Sequence, residues 1–418
     1  MAGQLAGLGV KAKLFLIFGS LKAYLVVTIT PSLKNLTILQ VVPELATGGA
    51  ERTTIEVAQA IVQAGGRALV WSAGGRLLPE LLAVGARHFE GYAASKNPWD
   101  VLVANPARLS EILVREKVDL IHARSRAPAW SALIAARRRN IAFVTTYHGI
   151  YAATSALKRW YNSVMVRSDA IIANSNYTKA HIMEQHGIEP DKVTVIYRGV
   201  DSAAFDPAAV TSARSAIMAR KWKLDIPHRR PRVILPARLT EWKGQRIFIA
   251  ALARLKNQGV DFEAILVGDS QGRDAYAHTL RTLISDAGLS HQVFLVGHCN
   301  DMPAAFSLCD IAVTPSIQPE AFGRTAAEAQ AMGLPVIASD LGGARETVDP
   351  NVTGYLSAAG DVGALADYLG TLIQMPRAQR LAMGAAGYAR VRALFTTQSL
   401  QSQTLALYQR VMAARHGE

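Results

Sequence analysis

From Thr37 onward the chain switches repeatedly between two hydrophobic periods. Short β-branched runs at Ile38–Val42, Ala68–Trp71, Leu120–Ile121, Ala142–Thr146 and Ala170–Ala173 predict buried strands. Stretches of helical period lie between them, as in Glu51–Gln63 and Ala127–Arg138. A second series of apolar runs begins at Val233–Ala237 and continues at Glu263–Val267, Val293–Val296, Ile311–Thr314 and Val336–Ala338. The polar, proline-bearing stretch Asp206 to Arg232 reads as a linker with a short helix. A helical stretch from Thr397 to Ala414, with no strand partner, closes the chain. Strand and helix in alternation indicate βαβ units and parallel sheets.

The expected class is therefore α/β: two Rossmann-like, doubly wound parallel-sheet domains facing a central cleft. One is expected over residues 36–208, joined by a C-terminal helix in 397–418 that returns to it, and the other over 232–396, with 209–231 as linker. Residues 1–35 read as an N-terminal extension. Leu14 to Ser32 is apolar, but Lys22 sits in its middle and no uncharged run is long enough to span a bilayer. An interfacial anchor or a non-native extension is the expectation there.

Composition narrows the function. The 418 residues exceed one ordinary domain, and half are apolar, which excludes wholesale disorder. Two cysteines, Cys299 and Cys309, cannot build a disulfide framework or a cysteine-based zinc site, and fit a reducing compartment. The net charge of +13 is uneven. Residues 1–200 carry 23 basic and 13 acidic side chains, the remainder 22 and 19. The first half therefore faces something acidic. Because these charges are scattered over helices and do not follow one element with interleaved aromatics, nucleic acid is not the expected partner. Arg137-Arg138-Arg139 and Lys158-Arg159-Trp160-Tyr161 combine cations with interfacial aromatics and point to an anionic membrane surface.

In open parallel sheets ligands bind beyond the carboxyl ends of the strands, so residues there are the ones to read. Gly48 and Gly49 join the first strand to a helix. Paired glycines let a backbone approach a ligand at a helix N-terminus, or simply make a tight turn with Thr47 or Glu51 supporting the helix start. His148 ends a strand run and could bond a ligand or be a satisfied ring; His122 ends another and carries less weight. Arg238 and Lys243 straddle a strand-to-helix loop and could clamp a diphosphate or be solvated charges. No Gly-x-Gly-x-x-Gly follows a strand, which argues against a dinucleotide oxidoreductase.

The densest block runs from Pro319 to Pro335. Thr325 and Glu328 have capping-box spacing and Gly333-Leu334-Pro335 is a helix stop, so a capped short helix is one reading. It leaves Glu320, Phe322 and Gly323 without a purpose. In the other reading, the amides of Ala321 to Ala326 converge on an anion, while Glu320 and Glu328 accept hydrogen bonds from separate hydroxyl groups.

With these residues in place, the chain resembles the family 4 glycosyltransferases of the two-domain GT-B architecture over about residues 37–415. The anchors are Gly48-Gly49-Ala50-Glu51-Arg52, Tyr147-His148-Gly149, Ala173-Asn174-Ser175, Arg198-Gly199-Val200-Asp201, Arg238 with Lys243-Gly244, Val267-Gly268-Asp269, and Glu320-x7-Glu328 followed by Gly333-Leu334-Pro335-Val336. The two glutamates in this order after the Arg/Lys pair form a specific signature. Arg198 departs from it, since relatives often carry asparagine there, and the leading 35 residues depart as well.

The resemblance implies a retaining, nucleotide-sugar-dependent hexosyltransferase with a UDP- or GDP-linked donor, no cofactor and no metal; no Asp-x-Asp triplet occurs in the chain. It implies Glu320 on donor-sugar hydroxyls, Glu328 on the ribose, and Arg238 and Lys243 on the diphosphate. Amides around Ala321, Phe322, Gly323 and Thr325, and the Gly48–Gly49 loop, would help. His148 would touch the transferred sugar, and Gly297 and His298 would lie near the base. A glycan or lipid-linked acceptor in bacterial lipopolysaccharide or exopolysaccharide synthesis, at the inner face of the cell membrane in the cytoplasm, completes the expectation. A same-fold epimerase or phosphorylase, or a nucleic-acid-binding protein, is the alternative.

Overall fold

The computed structural model describes residues 11–19, 22–30, 32–46, 48–151 and 155–417. Within the leading segment, Lys11–Gly19 (β1) and Lys22–Thr30 (β2) form a two-stranded sheet; the rest of the expected extension up to residue 31 lies outside the described residues. Among the described residues no helix is long and apolar enough to cross a membrane. The remainder divides into two compact units.

Beyond the leading segment, one unit comprises the chain from residue 32 to Gly199 together with the C-terminal helix Thr397–His416. Its strands are Thr37–Val41 (β3), Arg67–Ser72 (β4), Arg87–Glu90 (β5), Leu120–Ala123 (β6), Ala142–Tyr147 (β7), Ala170–Ala173 (β8) and Val193–Val195 (β9). They form one parallel sheet in the order β5-β4-β3-β6-β7-β8-β9. The apolar pattern misses β5 and β9 because both are edge strands. Arg87-His88-Phe89-Glu90 is half exposed and β9 has three residues, so neither shows the continuous apolar run of a strand buried on both faces. The helix Gly49–Gln63 turns Ile55, Val57, Ala58 and Ile61 to one face of the sheet. The C-terminal helix packs on that face through Leu400, Leu405, Tyr408 and Val411. A buried bond of 2.6 Å between Tyr408 Oη and His122 Nδ1 pins it there.

The other unit carries Arg232–Pro236 (β10), Glu263–Val267 (β11), Val293–Gly297 (β12), Ile311–Thr314 (β13), Val336–Ser339 (β14) and Gly354–Ser357 (β15). They form a parallel sheet in the order β12-β11-β10-β13-β14-β15. The short helix expected within the linker packs on this unit's core. The helix Ser212–Trp222 buries Met218, Ala219 and Trp222 against the sheet beside Ile234 and Ile265. A two-toothed ion pair, Arg214 to Asp301 at 2.7 and 2.6 Å, ties it down. The basic, proline-bearing composition hid this, because the helix spends only three of its positions on the core. Arg232 has a fully buried side chain and is held by Glu263 at 2.6 Å and by two backbone carbonyls.

Each sheet reverses its winding once, between β3 and β6 and between β10 and β13. A crevice opens beyond the strand ends at such a point. In the first unit the loops leaving it carry Gly48–Gly49 and Arg124, and in the second Arg238–Lys243 and Pro315–Glu320.

Candidate functional site

In the second unit the loop after β10 turns through Glu241–Lys243 and enters the helix Gln245–Asn257 at Gly244. Gly244 is obligatory: its φ is 74°, and a Cβ would lie 1.8 Å from the Pro315 carbonyl oxygen. That close approach brings the loops after β10 and β13 together. Lys243 Nζ, resting over the Trp242 ring, donates to Glu320 Oε1 at 2.7 Å, and Ser316 Oγ donates to the same oxygen at 2.5 Å. Glu320 Oε2 has no partner among the described residues. The backbone of Glu320 is braced by the loop after β14, through Gly343 N–H at 2.8 Å.

The block that follows departs from the capping-box expectation. Gly323, with φ 86°, is the N-cap of the helix Arg324–Ala331, and no side chain caps it. Thr325 thus already has helical backbone at the second position and cannot reach forward to an amide. Glu328 accepts instead from Arg324 Nε at 2.8 Å, an i,i+4 pair. The amide of Ala326 is taken by the Gly323 carbonyl, so the set expected to converge on an anion is smaller than the six residues suggested. The side chain of Phe322 is buried edge-on against Phe395 and serves packing. A small cavity lined by Thr314, Ser316, Gln318, Glu320, Gly323 and Ser339 opens beside the helix start. Arg238 is exposed, with no ion pair among the described residues. Gly297 and His298 end β12, the sheet edge, two strands from the reversal; His298 bonds Asn300 at 2.6 Å.

In the first unit Gly48 and Gly49 follow β3, and Gly48 is the N-cap of the helix, again without a side-chain cap. The expected Thr47 lies outside the described residues. The two glycines make room for the protein's own side chains. A Cβ on Gly48 would lie 2.0 Å from Glu51 Oε2, and one on Gly49 would lie 1.9 Å from Arg198 Nη1. Arg198 Nη2 is 2.9 Å from His148 Nδ1. Glu51 Oε2 and His148 Nε2 are closed off from solvent and have no hydrogen-bond partner among the described residues. Burial, then Arg198, Arg124 and His122, hold the His148 ring well below the usual histidine range, so it is neutral.

His122 takes the plain structural role: its ring is buried and bonded at both nitrogens, to Tyr408 and, at 2.7 Å, to Thr146. Two cations, the buried Arg124 and the half-buried Arg198, were not singled out as site residues by sequence. Arg198 was visible only as a departure from relatives. Arg124 is buried and chelates Gln40 Oε1 through Nε and Nη2 at 2.9 and 2.5 Å; nothing in its local sequence signals this. Both line a cavity of about 20 Å³ with Thr53, Thr146, His148 and Asn174, which is room for roughly one water.

Residues 47–204 match the model of Glycosyltransferase Family 4 and residues 218–390 that of Glycosyl transferases group 1. A glycosyltransferase crystal structure from Rickettsia africae superposes with a TM-score of 0.82 at 36% identity, over 90% of this chain and 98% of that one. Anabaena Alr3699/HepE in complex with UDP-glucose gives 0.77 at 26% identity, over 90% and 100%. The D-inositol 3-phosphate glycosyltransferase of Salinispora tropica is 32% identical over 60% of this chain, and the match spans 52% of that relative's own length. The second sheet, the first sheet apart from β3, the Gly48–Gly49 and Gly244 loops and the Glu320–Glu328 block fall inside the matched segments, and the chain belongs to the family 4 glycosyltransferases.

Proposed function

We propose that the protein moves a hexose from a UDP- or GDP-linked sugar to a glycan or lipid-linked acceptor, with retention of configuration. One observation carries the reading: Lys243 and Ser316 meet on Glu320 at the reversal of the second sheet, beside a helix start that no side chain caps. That places a cation suited to a diphosphate and a carboxylate suited to sugar hydroxyls within one hydrogen bond of each other.

Cleaving a sugar–diphosphate bond builds negative charge on the leaving phosphates, and fixed cations and amides stabilise it most as it develops. Lys243, Arg238 and the amide of Thr325 take that role. A diphosphate arriving at Lys243 draws it from Glu320, whose carboxylate then accepts from sugar hydroxyls. Glu328 does the same for the ribose. His148 offers a neutral ring N–H to the transferred sugar. For retention, the acceptor oxygen bonds the anomeric carbon on the face from which the diphosphate departs, and the acceptor proton passes to the leaving phosphate.

The acceptor is proposed to be held at an anionic membrane surface on the cytoplasmic side. The helix Ala156–Asn162 presents exposed Leu157, Lys158, Arg159 and Trp160, and Arg137–Arg139 form the exposed last turn of another helix. Each cation near such a surface contributes about 1 kcal/mol. Bacterial lipopolysaccharide and exopolysaccharide intermediates are the first acceptors to try, beside the inositol phosphate named for the Salinispora relative.

The test is a thermal-shift panel of nucleotide sugars, followed by NMR assignment of the product's anomeric configuration with the donor that binds. A donor sugar transferred with its configuration kept supports the proposal. An epimerised donor, or cleavage that depends on inorganic phosphate, would move the protein to the epimerase or phosphorylase alternative.

A further inference from the structure

We infer that Arg198 is a positioning residue that locks His148 in its Nε2–H tautomer, making the ring a fixed hydrogen-bond donor and removing it as a base. The inference deepens the proposed function, since it concerns the side chain assigned there to the sugar. A guanidinium has only donors and stays protonated at any working pH. At 2.9 Å from Arg198 Nη2, His148 Nδ1 must therefore be the acceptor. The one proton of a neutral ring is then on Nε2.

The surroundings enforce this state from every side. Arg198, Arg124 and His122 all act on the ring to disfavour a second proton, and Tyr151 bonds its backbone. His122 is itself occupied by Tyr408 and Thr146, and Arg124 by Gln40, so neither offers the ring a lone pair. No carboxylate is among the groups acting on it. An aspartate in the place of Arg198 would favour an imidazolium; an arginine forbids it. The donor face, Nε2–H, is buried without an acceptor among the described residues, a costly arrangement in a folded protein and one that a ligand hydroxyl would relieve.

The glycine pair now has a further use. Arg198 reaches His148 by lying where a side chain at residue 49 would be, 1.9 Å from the missing Cβ. Gly49 is thus required by the lock as well as by any approach of a ligand. With Nδ1 occupied and Nε2 protonated, the ring has no lone pair free to accept a proton, so the acceptor's proton must go elsewhere.

The experiment is ¹⁵N NMR of histidine-labelled full-length protein between pH 5.5 and 8. The wild type should show His148 as a single, non-titrating Nε2–H ring. Arg198→Met should free Nδ1, so that both tautomers are present, while burial, Arg124 and His122 still hold the ring below the usual histidine range. Arg198→Lys, which keeps a donor, should restore the wild-type signals. Gly49→Ala, which displaces the guanidinium without altering it, should give the Met pattern and guards against a simple folding failure of the first variant. Turnover should fall at least about tenfold in Arg198→Met with binding of the bare nucleotide unchanged, and recover in the lysine variant. A wild-type ring that titrates near neutrality, or carries its proton on Nδ1, overturns the lock, as does an Arg198→Met ring with unaltered signals. Intact tautomer signals in a protein that transfers no sugar would instead count against the proposed function and leave the lock standing.

Discussion

The two units handle charge in opposite ways at their strand ends. In the second unit both glutamates of the block are paired: Lys243 and Ser316 on Glu320, Arg324 on Glu328. In the first unit Arg124 and Arg198 lie near a neutral histidine, and the buried Glu51 Oε2 and His148 Nε2 have no partner among the described residues. The first arrangement holds its cation on its own carboxylate, and under the proposed function a ligand would exchange for it. The second keeps polar atoms in a fixed, unsatisfied state that costs stability throughout. A site can thus be prepared by pairing or by withholding partners, and the two should respond differently to mutation and pH.

The largest difference is expected from the paired half. Lys243→Ala should lower kcat/KM about 10²–10³-fold and weaken every ligand carrying the diphosphate, because leaving-group charge peaks in the transition state. Glu320→Gln should leave binding of the bare nucleoside diphosphate nearly intact while cutting transfer, since its contacts are assigned to the sugar. Calorimetry beside turnover separates these outcomes. If Lys243→Ala lost only thermal stability with activity intact, the pair would be structural and the contrast between the halves would collapse.

The withholding half should reveal itself through pH. Burial, reinforced by neighbouring cations, holds His148 and His122 well below the usual histidine range in the folded protein. The unfolded chain takes up protons below about pH 6.5 that the folded chain refuses, so stability is steady above that pH and falls as the solution becomes more acid. The slope is about 1.4 kcal/mol per pH unit for each ring. Urea unfolding at pH 7.5 and 5.5 should show it, and His122→Gln should reduce the slope by about half. A pH-independent stability across that window would mean that both rings protonate freely.

The smallest effect is expected at Thr325. A threonine that closed a capping box would cost about 0.5–2 kcal/mol on replacement by alanine. Here Gly323 starts the helix and Thr325 makes no capping bond, so Thr325→Ala should shift stability by less than about 0.5 kcal/mol in thermal or urea unfolding. A larger loss would restore the capped-helix reading of the block.

Local pattern made much of this protein legible. The β-branched runs and helical periods established two parallel α/β sheets, because a strand buried on both faces must be apolar throughout and a helix on its face must be apolar on one side. Most central strands were placed within a residue or two of their observed ends, and the Arg238, Lys243, Glu320 and Glu328 set was visible as unusual chemistry at strand ends. What local pattern could not show was held by edges and by distance. β5, β9 and β15 escaped because edge strands need no continuous apolar run. The helix Ser212–Trp222 read as linker because Met218, Ala219 and Trp222 are too few to outweigh its charged face. Thr325 and Glu328 had the spacing of a capping box, but the left-handed turn at Gly323, braced by the neighbouring loop after β14, set the helix start elsewhere. His148 meets Arg198 across 50 residues, and His122 meets Tyr408 across 286. The sequence alone determined which segments are strands and helices, since that depends on periodicity within a few turns of chain. Only the tertiary structure decided which cation sits beside which histidine or carboxylate, since tautomer, charge state and partner depend on atoms that folding brings within about 3 Å of each other.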